Sequence, residues 1–315
     1  MKIFSNYVKD AARKMATDDA QSVYAQHLVT ATLQELFRFS YRNTPWANGE
    51  LISISSNMDA GAASVAWLMV GDVGGADFVA DNATDLPTSD VQGSLNINKA
   101  HTISTSIQYS TQDLRASSMS GLIDIAQEKA RAARQAHDRK VDEAIRLGNV
   151  GKGIIGICQA PGSWHVTAAT GNWGTSATAA QIVSDFTVAY STMFDGTSGV
   201  EEPDTMVIAS SVYVRLATLQ NSVASDKTVL EYLKMAFPAI NLWKSDAGLN
   251  TAADDGGPCM LLYSRDSSKL KALMPLMFRP LPLEQSGLVY RMAFESRFAG
   301  LATPFPKSIL SLQGI

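Results

Sequence analysis

Residues 95–109 alternate with a period of two. One set of positions reads Leu95, Ile97, Lys99, His101, Ile103, Thr105, Ile107 and Tyr109. The set between reads Asn96, Asn98, Ala100, Thr102, Ser104, Ser106 and Gln108. Period two marks a β-strand with one apolar face. An ordinary strand holds about 5–6 residues, and this run is roughly three times as long. At about 3.3 Å per residue it reaches roughly 50 Å. A two-stranded ribbon of that length is marginal alone in water. Its apolar face therefore needs cover, from another subunit or from the chain's own N-terminal arm.

A second long element follows. "SGLIDIAQEKARAARQAHDRKVDEAIRLGN", residues 120–149, predicts a helix of roughly 40 Å. Ser120 is the expected N-cap and Gly148 the expected left-handed C-terminal stop. Ala126, Ala130, Ala133, Ala136 and Ala144, with Ile125, Val141 and Ile145, form a small-residue side that lets the helix lie close to a neighbour. Arg139–Glu143 and Asp142–Arg146 are i,i+4 pairs of opposite charge. Four glycines, Gly148, Gly151, Gly153 and Gly156, then surround Lys152. A phosphate-binding loop needs Ser or Thr after its lysine and a helix behind it. Here Gly153 follows the lysine and the helix comes first. The glycines are read as a helix stop and a turn into "GIIGI".

The chemistry-bearing residues are sparse. No G-x-S-x-G, H-E-x-x-H, C-x-x-C or complete calcium loop occurs. His27, His101, His137 and His165 are scattered, without ligand spacing, and are expected to be structural or exposed. Asp246, Asp254 and Asp255 read as a turn, and "NAT" at Asn82 as a chance glycosylation triplet. Cys158 and Cys259 are expected as two isolated free thiols. Trp46, Trp67, Trp164 and Trp173 lie beside loop-like segments, suited to interface anchoring or ordinary packing. No metal, cofactor or catalytic group is expected. The net charge of -4 argues against a surface built to grip nucleic acid. No apolar run reaches the roughly 18 residues of a membrane span, and the first residues lack the apolar segment of a signal peptide.

Residues 1–50 read as an arm with one helix, carrying Val23, Leu28, Leu33, Leu36 and Phe37 and ended by Pro45 and Gly49. "LISIS" is a short strand. Residues 60–93 are rich in Gly, Ala and Asp and are expected to be a loop or ribbon tip. Residues 176–275 read as an α/β unit: helices in "ATAAQIVSDFTVAYSTMF", "VYVRLATLQ" and "DKTVLEYLKMAFP", with buried strands in "DTMVIASS" and "CMLLYSRD". The chain then returns to strands, with Pro304 and Pro306 at an edge or bend.

"DKTVLEYLKMAFP", "FRPLPLEQSGLVYRMAFESRFAGLATPFPKSILSLQGI" and "DEAIRLGNVGKGIIGI", with this order of elements, resemble the major capsid proteins of tailed phages, the Hong Kong 97 type. The resemblance implies an α+β fold. Residues 1–55 would be the N-terminal arm and 56–112 the extended loop (E-loop) ribbon. Residues 113–175 and 276–315 would be the peripheral domain with its spine helix, and 176–275 the axial domain. It implies a non-enzymatic subunit that self-assembles as hexamers and pentamers into an icosahedral shell. The shell would enclose double-stranded DNA without sequence-specific contacts. Portal, separate scaffolding and decoration proteins would be partners, with no membrane. The place would be the virion, assembled in the host cytoplasm. The expected assembly surface is the ribbon and its tip: Asp81, Asn82, Asp85, Pro87, Ile97, Ile103 and Ile107. The chain starts almost at the arm, so no removable N-terminal scaffold is expected and Met1 is expected to persist. An encapsulin-like compartment shell shares the fold. A hydrolase using Ser198 is the remote alternative, for which no His–Asp partner stands out.

Overall fold

The computed structural model describes residues 42–78, 87–120, 124–169, 171–222 and 225–315. The expected arm helix, His27, Asp81, Asn82 and Asp85 lie outside the described residues.

The long alternating run is two strands rather than one. The first strand of the body is β1 (Ser53–Ser55). The segment read as a loop then supplies β2 (Ser64–Gly74), followed by β3 (Ser89–Lys99) and β4 (His101–Ser110). β2 and β3 pair antiparallel along their full length, from Ser64↔Lys99 to Gly74↔Ser89. β4 belongs to a different sheet. The break is at Ala100, whose N–H leaves the run to donate to the Ala63 carbonyl at 2.9 Å. Beside it, the Asn98 side chain donates to the Leu301 carbonyl at 2.7 Å. Backbone and amide together turn the chain without disturbing the parity of the pattern.

Two helices follow, α1 (Thr111–Ser120) and α2 (Ile125–Arg146). Ser120 ends α1 instead of capping the long helix. The N-cap is Asp124, whose carboxylate accepts from the Ala126 and Gln127 N–H groups. Ala133, Val141, Ala144 and Ile145 are buried as the spacing implies, but Ala136 is exposed. His137, Asp142 and Arg146 are buried on the same helix. Asp142–Arg146 is a 2.9 Å ion pair, whereas Glu143 pairs with Lys140 rather than Arg139.

β5 (Gly148–Asn149) and β6 (Ile154–Ile155) close a two-residue ladder behind α2, and β7 (Trp164–Thr167) follows. Next come α3 (Ala179–Gly196), β8 (Thr205–Ala209), α4 (Ser210–Thr218), β9 (Gln220–Ser222), β10 (Ser225–Thr228), α5 (Val229–Ala236), β11 (Leu242–Asp246) and β12 (Cys259–Tyr263). α3 and α5 start in capping boxes, Thr178 with Gln181 and Thr228 with Glu231. The last strands are β13 (Lys271–Leu273), β14 (Leu276–Pro280), β15 (Glu284–Ser286), β16 (Val289–Phe298), β17 (Leu301–Ala302) and β18 (Ile309–Gln313). Pro306 opens a 3-10 turn at the bend between the last two.

Three sheets organise the body. β1, β13 and β17 form one. β14, β16 and β15 form the second, with β4 paired to β16 from Ser110↔Val289 to His101↔Phe298. The third has the order β11–β8–β12–β18–β7. It takes in β7 and β18 from outside residues 176–275. β8 and β12 are wholly buried, and the main core runs from Trp46 and Ile145 through this sheet to α3, α4 and α5.

Candidate assembly surface

Directly paired residues of an antiparallel ladder lie on one face. On the ribbon β2–β3, one face carries Val65, Trp67 and Met69 opposite Asn98, Asn96 and Ser94. This face looks at the body. Val65 and Trp67 pack on Leu273, Ala299 and Ala302. Beyond them a cavity of about 420 Å³ lies between Trp67, Met69 and Asn96 on the ribbon and Ile155, Pro161 and Pro306 on the body. The other face carries Ala66 opposite Ile97, Leu68 opposite Leu95, and Val70 opposite Gly93, with Val91 further out. Leu68, Val70, Val91, Leu95 and Ile97 are each 59–66% exposed. The usual arrangement is inverted: asparagines face the protein, and large aliphatic side chains face water. A contiguous apolar patch of this kind marks an interaction surface. Full burial of each such side chain contributes about 1.5–3 kcal/mol.

The expected site residues separate. Ile97 is on the outward face. Pro87 is exposed, just ahead of β3. Ile103 and Ile107 are not ribbon residues. They lie on β4 inside the subunit, because α2 covers that strand. Ile107 is buried with Tyr109, Ala133 and Phe294, and Ile103 packs on the main core. The outward partners Leu68 and Val70 were missed. Their signal was present in "SVAWLMV", which alternates in phase with β3 once the two are paired.

The glycine cluster is a tight turn. Gly148 (φ +76°) and Gly153 (φ +66°) take the left-handed conformation. A Cβ on Gly156 would overlap the backbone of Leu147 and Gly148, whereas one on Gly151 would make only an ordinary 3.5 Å contact with the Asn149 side chain. Lys152 is exposed. Ser198 is left-handed too (φ +54°), in the turn that closes α3.

Sequence reading also missed a buried ionic cluster. Asp246, read as part of a turn, accepts the Trp46 indole N–H at 2.9 Å and the Gly248 N–H at 3.0 Å. Arg42 donates to Oδ1, the oxygen that also accepts from Gly248, and the indole takes Oδ2. Arg146 bridges Asp142 at 2.9 Å and Asp246 at 3.3 Å, and the Trp46 backbone N–H donates to Asp142 at 3.1 Å. Burial pushes Asp142 above the usual carboxylate range, and Arg146, the Trp46 N–H and Arg42 only partly offset it. Burial also acts on Asp246. There the Gly248 and Trp46 donors and the two arginines win, and its carboxyl is held below the usual range. The two cysteines are not isolated. The Cys259 thiol hydrogen-bonds Cys158 in the core, and with burial this pushes the Cys158 thiol well up, leaving it inert. Trp46 and Trp173 are fully buried, and His137 is held by Ser296 at 2.6 Å.

A family model described as "Major capsid protein" matches residues 74–315. The chain belongs to the major capsid protein family. Solved structures agree in fold. The capsid of Myoviridae phage XM1 is 17% identical, with a TM-score of 0.78 over 92% of this chain and 98% of that one. Mycobacterium phage Adephagia gives 14% identity and a TM-score of 0.64 over 93% and 96%. The virus-like particle from Pyrococcus furiosus gives 12% identity and 0.54 over 84% and 91%. No curated protein matches the chain. This major capsid protein has the α+β, Hong Kong 97-type fold. It is a structural subunit of the virion that self-assembles into an icosahedral shell. Among the described residues, no helix is long and apolar enough to cross a membrane.

Proposed function

We propose that the ribbon β2–β3 is the strap by which one capsid subunit holds the next, within hexamers and pentamers that enclose double-stranded DNA. The outward aliphatic face carries this reading. Five large side chains stand in water on an element whose other face is already occupied. The tip residues Asp81, Asn82, Asp85 and Pro87 would lie on the neighbour together with Ile97. Residues 1–55 would act as an arm, 56–112 as the strap, and the remainder as peripheral and axial units. The acidic balance suits a lining that encloses DNA without reading bases, assembled in the host cytoplasm around a separate scaffold and a portal, with decoration proteins added outside. The subunit would do no catalysis. Ser198 serves as a helix stop, which leaves the hydrolase reading without support, and the matching family model favours a genome shell over an encapsulin-like compartment. Electron microscopy of the expressed protein tests the reading. Closed shells are expected from the natural sequence, and only open or monomeric material from Leu95→Asp. Normal shells from that variant would overturn the role given to the ribbon.

A further inference from the structure

The ionic cluster joins three parts of the chain: Arg42, ahead of the turn at 45–49; Asp142 and Arg146 at the end of α2; and Asp246 at the end of β11. Three members are nearly sealed, with side-chain exposures of 3–7%. The Arg42 side chain is 42% exposed. Clefts of about 280 and 210 Å³ open on its two sides. Gly248 makes the arrangement possible, since a Cβ there would overlap the guanidinium groups of both arginines.

We propose that this cluster is a proton-operated latch: when Asp142 takes up a proton, Arg42 leaves Asp246, and residues 42–45 detach from the end of α2 while Trp46 keeps its place in the core. Charge balance gives the direction. With both arginines in place, two cations face two carboxylates. If Arg42 departs alone, two buried carboxylates face Arg146, and the unpaired negative charge is costly. A proton on Asp142 restores neutrality, leaving Arg146 with Asp246. The open state therefore binds one more proton than the closed state, and lower pH favours opening. Of the two carboxylates, Asp142 is the one that protonates, because Asp246 keeps the indole and Gly248 donors. Among the described residues, the charged groups facing Asp142 are Arg42, Arg146 and Asp246, with the Cys158 thiol beside the last two. Further out, Glu50 and Lys244 satisfy each other at 2.6 Å, and Asp138 and Arg139 line the outer cleft.

Hydrogen–deuterium exchange of the full chain, read on peptides covering residues 43–50 and corrected for intrinsic exchange, tests the latch. Protection is expected to fall about tenfold per pH unit below the transition, one proton's worth. Asp142→Asn removes the charge and keeps an acceptor for Trp46. It should raise exchange at neutral pH and flatten the pH dependence. Arg42→Gln, on the exposed member, should do the same, and it carries the test should the buried variant not fold. Protection of 205–209 and 259–263 must stay unchanged as the sign of an intact core. The latch is overturned by wild-type protection that does not vary between pH 8 and pH 5, or by either folded variant keeping the wild-type slope.

Discussion

β3 and β4 carry one uninterrupted pattern and meet opposite fates. On β4 the apolar parity, Ile107 and Tyr109, is buried beneath α2 with Ala133 and Phe294. On β3 the same parity, Leu95 and Ile97, stands in water. No property of the strands themselves separates them. What differs is the cover: a helix with small side chains for β4 and, among the described residues, nothing over the outward face of β3. A period-two run states that a face will be buried; it does not state by whom. In a subunit of a shell, both answers are available, and this chain uses them side by side.

Substitutions on the two strands should separate by the same logic. Ile107→Asp puts an unpaired carboxylate under α2 and should cost about 3–5 kcal/mol of subunit stability. Urea unfolding measures it, and a loss under 1 kcal/mol would mean that the cover is loose. Ile103→Asp belongs with it as a fold-breaking change, not with the ribbon. Ile107→Ala should cost about 2–4 kcal/mol through the cavity left behind. Ala133→Leu overfills the contact between α2 and β4 and should cost about 1–3 kcal/mol, visible as a lowered Tm. The smallest effect on the isolated subunit is expected for Leu95→Asp, within about 0.5 kcal/mol. Its whole consequence should appear in light scattering, as failure to form shells. A large stability loss from Leu95→Asp would erase the distinction between the strands.

The comparison also explains what the sequence made legible. Local signals were readable: the helices at 179–196 and 229–236, the left-handed stop at Gly148, the buried strand at 205–209. Elements whose identity depends on distant partners were not. The turn at Ala100 leaves no trace in the alternation, because it rests on Ala63 and Leu301. Ser120 looked like a cap because the short α1 has a weak pattern of its own, and Asp124 is an equally good cap four residues later. The ionic cluster was half visible, as the Asp142–Arg146 spacing. Arg42 and Asp246 join it from 100 or more residues away. Of the ribbon, the parity could be read, but not which neighbour it serves.

β18 sits between β12 and β7, the fourth strand in a sheet of five, and it is the last of the five to be synthesised. Until Ile309–Gln313 arrives, Cys259–Tyr263 has one open edge and Trp164–Thr167 has no strand to pair with. Such a gap is bridged only by contacts spanning most of the chain, which form late. The subunit's folding therefore carries its own checkpoint. A chain interrupted before β18 keeps an unfinished sheet with exposed edges, the kind of surface that misassociates. In a particle that counts on many identical copies, this places the synthesis of Ile309–Gln313 ahead of the subunit's competence to join the others.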